Sequence, residues 1–94
     1  MELEVGRCYR AKRPSMSGFY VNDRMILYIS PSGELVQYDS PSVAHGRKYP
    51  TVTREKFEKW ASHDVTDELP KGAWMDYFEW QKATALQRGR GGKG

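Results

Sequence analysis

Cysteine occurs once in these 94 residues. A lone thiol, Cys8, closes no disulfide within the chain, and it makes no thiolate metal site, which draws on several Cys and His ligands at short spacing. Long apolar runs are also missing. The longest, Met25 to Ile29, falls far short of the ~20 residues that span a bilayer. The opening Met1-Glu-Leu-Glu-Val-Gly6 lacks the basic-then-apolar order of a secretory signal. A soluble chain in the cytoplasm, with no membrane contact, is the expectation.

Catalytic signatures are scarce as well. The glycines at 6, 18, 33, 46 and 72 fall into neither a dinucleotide fingerprint nor a P-loop. His45 and His63 are the only imidazoles, and neither stands in a motif that sets it against a nucleophile or a carboxylate. For His63, just past a helical pattern, a cation near the helix C-terminus or a loop residue is the simpler role. No enzyme, cofactor or metal site is expected.

The formal charge of +3 divides unevenly along the chain. Lys82, Arg88, Arg90 and Lys93 are the last charged residues and no acid follows them, so residues 1–81 are left one unit negative. The basic surplus therefore belongs to the tail, and net charge gives the body no help in binding a polyanion. What the chain does have is aromatic surface, 13% of residues, which supplies much buried area in a core this small. One domain over residues 1–87 is expected, followed by a glycine- and arginine-rich tail, 88–94, that is too poor in apolar residues to fold alone.

Leu3 to Arg13 alternates loosely and reads as a strand, with Gly6 as a bulge or turn. Phe19-Tyr-Val21 begins a second extended piece. Arg24 to Ile29 is rich in β-branched and aromatic residues, Ser30-Pro-Ser-Gly33 has turn chemistry, and Glu34 to Asp39 resumes the strand pattern, so residues 24–39 form a hairpin. Residues 40–50 make a loop that ends in a short strand. Thr53 has the properties of a helix N-cap, with Glu55 in the first turn and Val52 and Phe57 at the staple positions. Phe57, Trp60 and Ala61 then place one apolar stripe against the sheet. A last short strand runs through Val65.

Beyond Pro70 and Gly72, Ala73 to Gln87 reads as a longer helix that Gly89 stops. Trp74, Tyr77 and Phe78 lie along one side of it, while Met75 and Trp80 fall elsewhere on the circumference. Aromatic surface on several faces points to contact with a protein partner or a second copy, and a weak homodimer is expected. A second candidate surface is the loop with His45, Arg47, Lys48 and Tyr49, whose basic and aromatic side chains suit phosphate contact and base stacking. The tail cations Arg88, Arg90 and Lys93 would add to it. If the loop binds nothing, Tyr49 should anchor it in the core.

Val5-Gly-Arg-Cys-Tyr-Arg10, the hairpin from Arg24 to Pro41 and the closing Phe57-Glu-Lys-Trp-Ala-Ser-His-Asp-Val65 together resemble small uncharacterised phage and prophage proteins with an SH3-like barrel. The resemblance covers residues 3–66 and carries no catalytic residue across. It implies an SH3-like body, and with the helix read over residues 73–87, which lies outside the resemblance, the expectation is an α+β domain: a bent, SH3-like antiparallel sheet of four or five strands with one short helix and a longer C-terminal helix. A flat three-stranded sandwich is the alternative. The functional expectation is a non-enzymatic protein-binding module, a phage-encoded modulator of a host protein, acting through Trp74, Met75, Tyr77, Phe78 and Trp80. The alternative is a nucleic-acid-binding accessory protein that holds a single strand through the loop and the tail.

Overall fold

A computed structural model describes residues 1–44, 46–70 and 74–91, with side chains as far as residue 84. The chain runs β1 (Cys8–Ala11), β2 (Met16–Ser17), β3 (Tyr20–Val21), β4 (Arg24–Ile29), β5 (Leu35–Asp39), β6 (Thr51–Thr53), α1 (Arg54–Trp60), β7 (Ala61–Asp64), a 3₁₀ turn (Thr66–Glu68) and α2 (Tyr77–Gly91). Five strands form one antiparallel sheet in the order β6-β5-β4-β1-β7, and β2 pairs with β3 as a separate hairpin. The fold is thus a small α+β domain with five strands in its sheet.

The expected hairpin is β4–β5, with Ile26 opposite Tyr38 and Ile29 opposite Val36. Gly33 makes its turn, because the backbone there needs a positive φ of 78° and Gly33 N–H donates to the Ser30 carbonyl at 2.8 Å. Between Ile26 and Tyr28 the register slips by one residue. Such a bulge bends the strand and sharpens the local twist.

The first strand is shorter than the alternation over residues 3–13 implies. Gly6 turns at φ 88°, Arg7 N–H closes on the Glu4 carbonyl, and pairing starts only at Cys8. Leu3 is nonetheless buried, in a cluster with Tyr9, Ile26, Val36, Tyr38, Phe57 and Ala61. Phe57 sits at its centre, edge-on to Tyr9 at 5.7 Å and to Tyr38 at 6.0 Å.

Helix α1 starts where the sequence marks it, since the Thr53 side chain accepts from Lys56 N–H. It joins the edge strand β6 directly to the opposite edge strand β7. Seven helical residues at 1.5 Å each span only about 10 Å. One short helix thus links the two edges of the sheet. The closing strand occupies Ala61–Asp64, one residue before Val65, and Val65 itself is buried with its N–H on the Cys8 carbonyl.

Helix α2 begins at Tyr77, not at Ala73. Two features of Asp76 account for the shift. Its carboxylate accepts from Glu79 N–H at 2.8 Å, as an N-cap does, and its backbone pairs with Tyr20 in an antiparallel bridge. Trp74 and Met75 lie outside the helix, in a segment that extends the β2–β3 hairpin. The helix also passes Gly89, its expected stop, and reaches Gly91; Gly92, Lys93 and Gly94 lie outside the described residues. No helix among the described residues is long and apolar enough to cross a membrane.

Candidate functional site

The segment from Trp74 to Tyr77 is held to the body by its backbone. Val21 N–H donates to the Met75 carbonyl at 2.9 Å, and Tyr77 N–H donates to the Phe19 carbonyl at 2.8 Å. This pairing carries Met75 inward, where its side chain is buried and its sulfur accepts from the Arg10 guanidinium at 3.5 Å. Met75 is therefore part of the interior and not of a partner-binding surface. The helical wheel misplaced it because residue 75 belongs to an extended segment, in which successive side chains alternate faces.

Arg10 is in turn fixed by Asp23, with both contacts made side by side at 2.9 and 3.0 Å. Both residues are buried. Burial pushes the Asp23 carboxyl up, and the Arg10 fork pulls it back only in part. The pair ties β1 to the turn that leads into β4, and Met75 lies against it.

Tyr77 and Phe78 are brought onto the tip of the β2–β3 hairpin. Phe19 meets Phe78 edge-on at 5.2 Å and Tyr77 at 6.5 Å, and Tyr20 lies 6.2 Å from Phe19. Phe78 keeps 61% of its surface exposed and Phe19 47%. Trp80, three residues on from Tyr77, is half-buried, and its backbone serves α2 by donating to Asp76 and accepting from Thr84.

The loop after β5 is built from two tight turns. In the first, Val43 N–H closes on the Ser40 carbonyl at 3.0 Å with Pro41 at the second position, and the Ser40 and Ser42 hydroxyls meet at 2.9 Å. In the second, Arg47 N–H closes on the Ala44 carbonyl at 3.0 Å, and Gly46 supplies a φ of 81°. Arg47 and Lys48 are exposed. Tyr49 is 46% exposed and does not anchor the loop in the core. His45, Lys93 and the side chains of Arg88 and Arg90 lie outside the described residues.

The two candidate clusters meet at one place. Tyr20 from β3, Tyr49 and Arg47 from the loop, and Trp74 from the segment before α2 line a cleft of about 510 Å³ together with Asp39, Ser40 and Pro41. Tyr20, which is 42% exposed, and Asp39 were not singled out in the sequence. The available signal was Gly18-Phe-Tyr20, a pair of adjacent aromatics at a glycine turn. Chemically the cleft offers three flat apolar surfaces, one guanidinium and one carboxylate. Those groups can orient and hold a chain.

Cys8, the lone thiol, lies apart from this cleft in β1. Burial pushes its pKa up to about 11, so it stays protonated and unreactive near neutral pH. His63 shares a 2.9 Å contact with the Ser62 hydroxyl, and its other ring nitrogen stands 3.9 Å from Glu68, with both side chains about half exposed. No family model, curated protein or solved structure matches the chain.

Proposed function

We propose that the chain is a non-enzymatic protein-binding module, and that an extended segment of a partner protein lies in the cleft between Tyr20, Tyr49 and Trp74. The convergence of these three rings from distant parts of the chain carries the reading. Tyr and Trp are the side chains that most often dominate interface energetics, and a concave apolar site with few polar groups is the usual form of a binding site. Arg47 and Asp39 would set the direction of the bound segment. Phe19, Tyr77 and Phe78 extend the apolar surface beside the cleft. The resemblance to phage proteins makes a host protein the partner class. The order β7-β1-β4-β5-β6, with a short helix between the two edge strands, supports an SH3-like barrel as the finer description of the body.

Tyr20→Ala and Trp74→Ala, made singly, should each weaken capture of host protein at least tenfold while the thermal transition stays within a few degrees. Unfolding of both variants would assign the rings to the core and remove the proposal. Concentration-dependent sedimentation of the free protein, lost in Phe78→Ala, would reassign the exposed aromatic surface to self-contact.

A second reading rests on Arg47 sharing the cleft with the three rings. Bases of a single strand would stack on the rings while the guanidinium meets phosphate. This reading requires oligonucleotide binding that falls steeply between low and moderate salt and is weakened by Arg47→Ala. Absence of binding at low salt rules it out.

A further inference from the structure

Arg24 opens β4 and points to the same face as Ile26, at the rim of the core. Its guanidinium carbon lies over the Trp60 ring at 4.0 Å and over the Tyr38 ring at 4.3 Å, with Phe57 next at 5.9 Å. Three other arginines have carboxylates: Asp23 holds Arg10, Asp64 holds Arg7 and Glu58 holds Arg54; what sets Arg24 apart from the exposed Arg13 and Arg47 is that it is half-buried against rings. Among the described residues, no carboxylate lies within 4.0 Å of Arg24 and no oxygen accepts a hydrogen bond from it. Ring faces attract the charge but do not replace the oxygen acceptors that five N–H donors seek.

The site is thus electrostatically incomplete. Burial pushes the Arg24 pKa below the usual arginine range, so the surroundings disfavour its charge, and Tyr38 offsets this only in part. None of its nitrogens is among the buried atoms without a partner, so they are open to water. A planar guanidinium braced by aromatic rings loses little further freedom when it takes a two-oxygen partner.

We propose that Arg24, braced by Trp60 and Tyr38, is an oxyanion-binding site that takes a phosphoryl or carboxylate group through the guanidinium donors. The site is separate from the aromatic cleft and does not depend on that reading. Its ligand is either a free anion such as phosphate or the acidic side chain of a partner.

The test follows the Arg24 Nε–Hε resonance of the full chain during titrations with inorganic phosphate, with N-acetylglutamate and with sodium chloride at matched ionic strength. Saturable shifts with phosphate or with N-acetylglutamate, and none with chloride, are expected. A response to phosphate alone assigns a free phosphoryl ligand, and a response to N-acetylglutamate assigns an acidic side chain. Arg24→Met keeps the stem against the rings and should weaken the response, read through indole fluorescence, at least tenfold. Arg24→Lys keeps the charge without the fork and should lose most of it. Identical shifts with all three salts, or an indole response unchanged in Arg24→Met, would overturn the assignment.

Discussion

Two buried-to-rim arginines differ in how their charge is met, and the difference is measurable. Arg10 and Asp23 satisfy each other at 2.9 and 3.0 Å out of water. Removing one partner of such a pair leaves the other charge buried and uncompensated, which costs about 3–5 kcal/mol. Asp23→Asn should therefore lower the denaturant midpoint by a large share of the total stability. A double change, Arg10→Met with Asp23→Leu, leaves no charge there and should recover most of the loss; equal destabilisation by single and double variants would show that packing, not charge, dominates. At the surface, Asp64 is governed by a different balance. Burial raises its carboxyl, but the Thr66 hydroxyl at 2.6 Å, Thr66 N–H at 2.8 Å and Arg7 at 2.7 Å together hold it below the ordinary range. A carboxyl depressed in the folded state stabilises the protein above its unfolded pKa, and that contribution fades as pH falls through the folded value. The melting temperature of the natural chain should exceed that of Asp64→Asn near neutral pH, and the gap should close below the ordinary carboxylate range. A constant gap down to the acid limit would contradict the assigned sign.

Helix α1 shows how much a local pattern can specify. Thr53 caps it, Glu55 lies in its first turn, and Phe57 and Ala61 face the core as their spacing requires. Thr53→Ala removes the acceptor for Lys56 N–H and should cost about 1 kcal/mol, read as a lower midpoint at unchanged slope in denaturant unfolding; no change would mean that water replaces the cap without loss. The β4–β5 hairpin was equally legible, because Ser30-Pro-Ser-Gly33 is turn chemistry between two runs of strand formers. Harder to read were features set by non-local pairing. Trp74 and Met75 look helical by composition, yet the edge of β3 pairs Val21 with Met75 and Phe19 with Tyr77, and Asp76 then caps the helix that follows. The bulge in β4 depends on its neighbours for the same reason. Of the candidate site, Arg47, Tyr49 and Trp74 were named from composition. Tyr20 and Asp39 were not, because the cleft exists only once residues 20, 39–49 and 74 are folded together.

At the scale of the whole molecule, the buried apolar cluster is complete by Ala61, and Ile29, Val52 and Trp60 complete its margin. The later chain contributes Met75, buried against Arg10, and a helix whose aromatic first turn rests on Phe19. A chain ending at Leu69 should therefore still fold as one unit around the five-stranded sheet. Its cost should be close to that of uncovering one Met side chain, about 1.5–3 kcal/mol, together with easier access of water to the Arg10–Asp23 pair. Met75→Ala in the full chain isolates that side chain and should account for most of the same loss. Heat denaturation of the three proteins decides the matter. If the shortened chain loses its cooperative transition while Met75→Ala keeps it, the strand-like pairing of residues 75–77 on β3, and not the methionine, is what the body needs from the C-terminal arm. If both variants melt together a few degrees below the natural chain, the arm is an attachment secured chiefly by one buried side chain, and the aromatic cleft that it completes through Trp74 opens when that side chain is withdrawn.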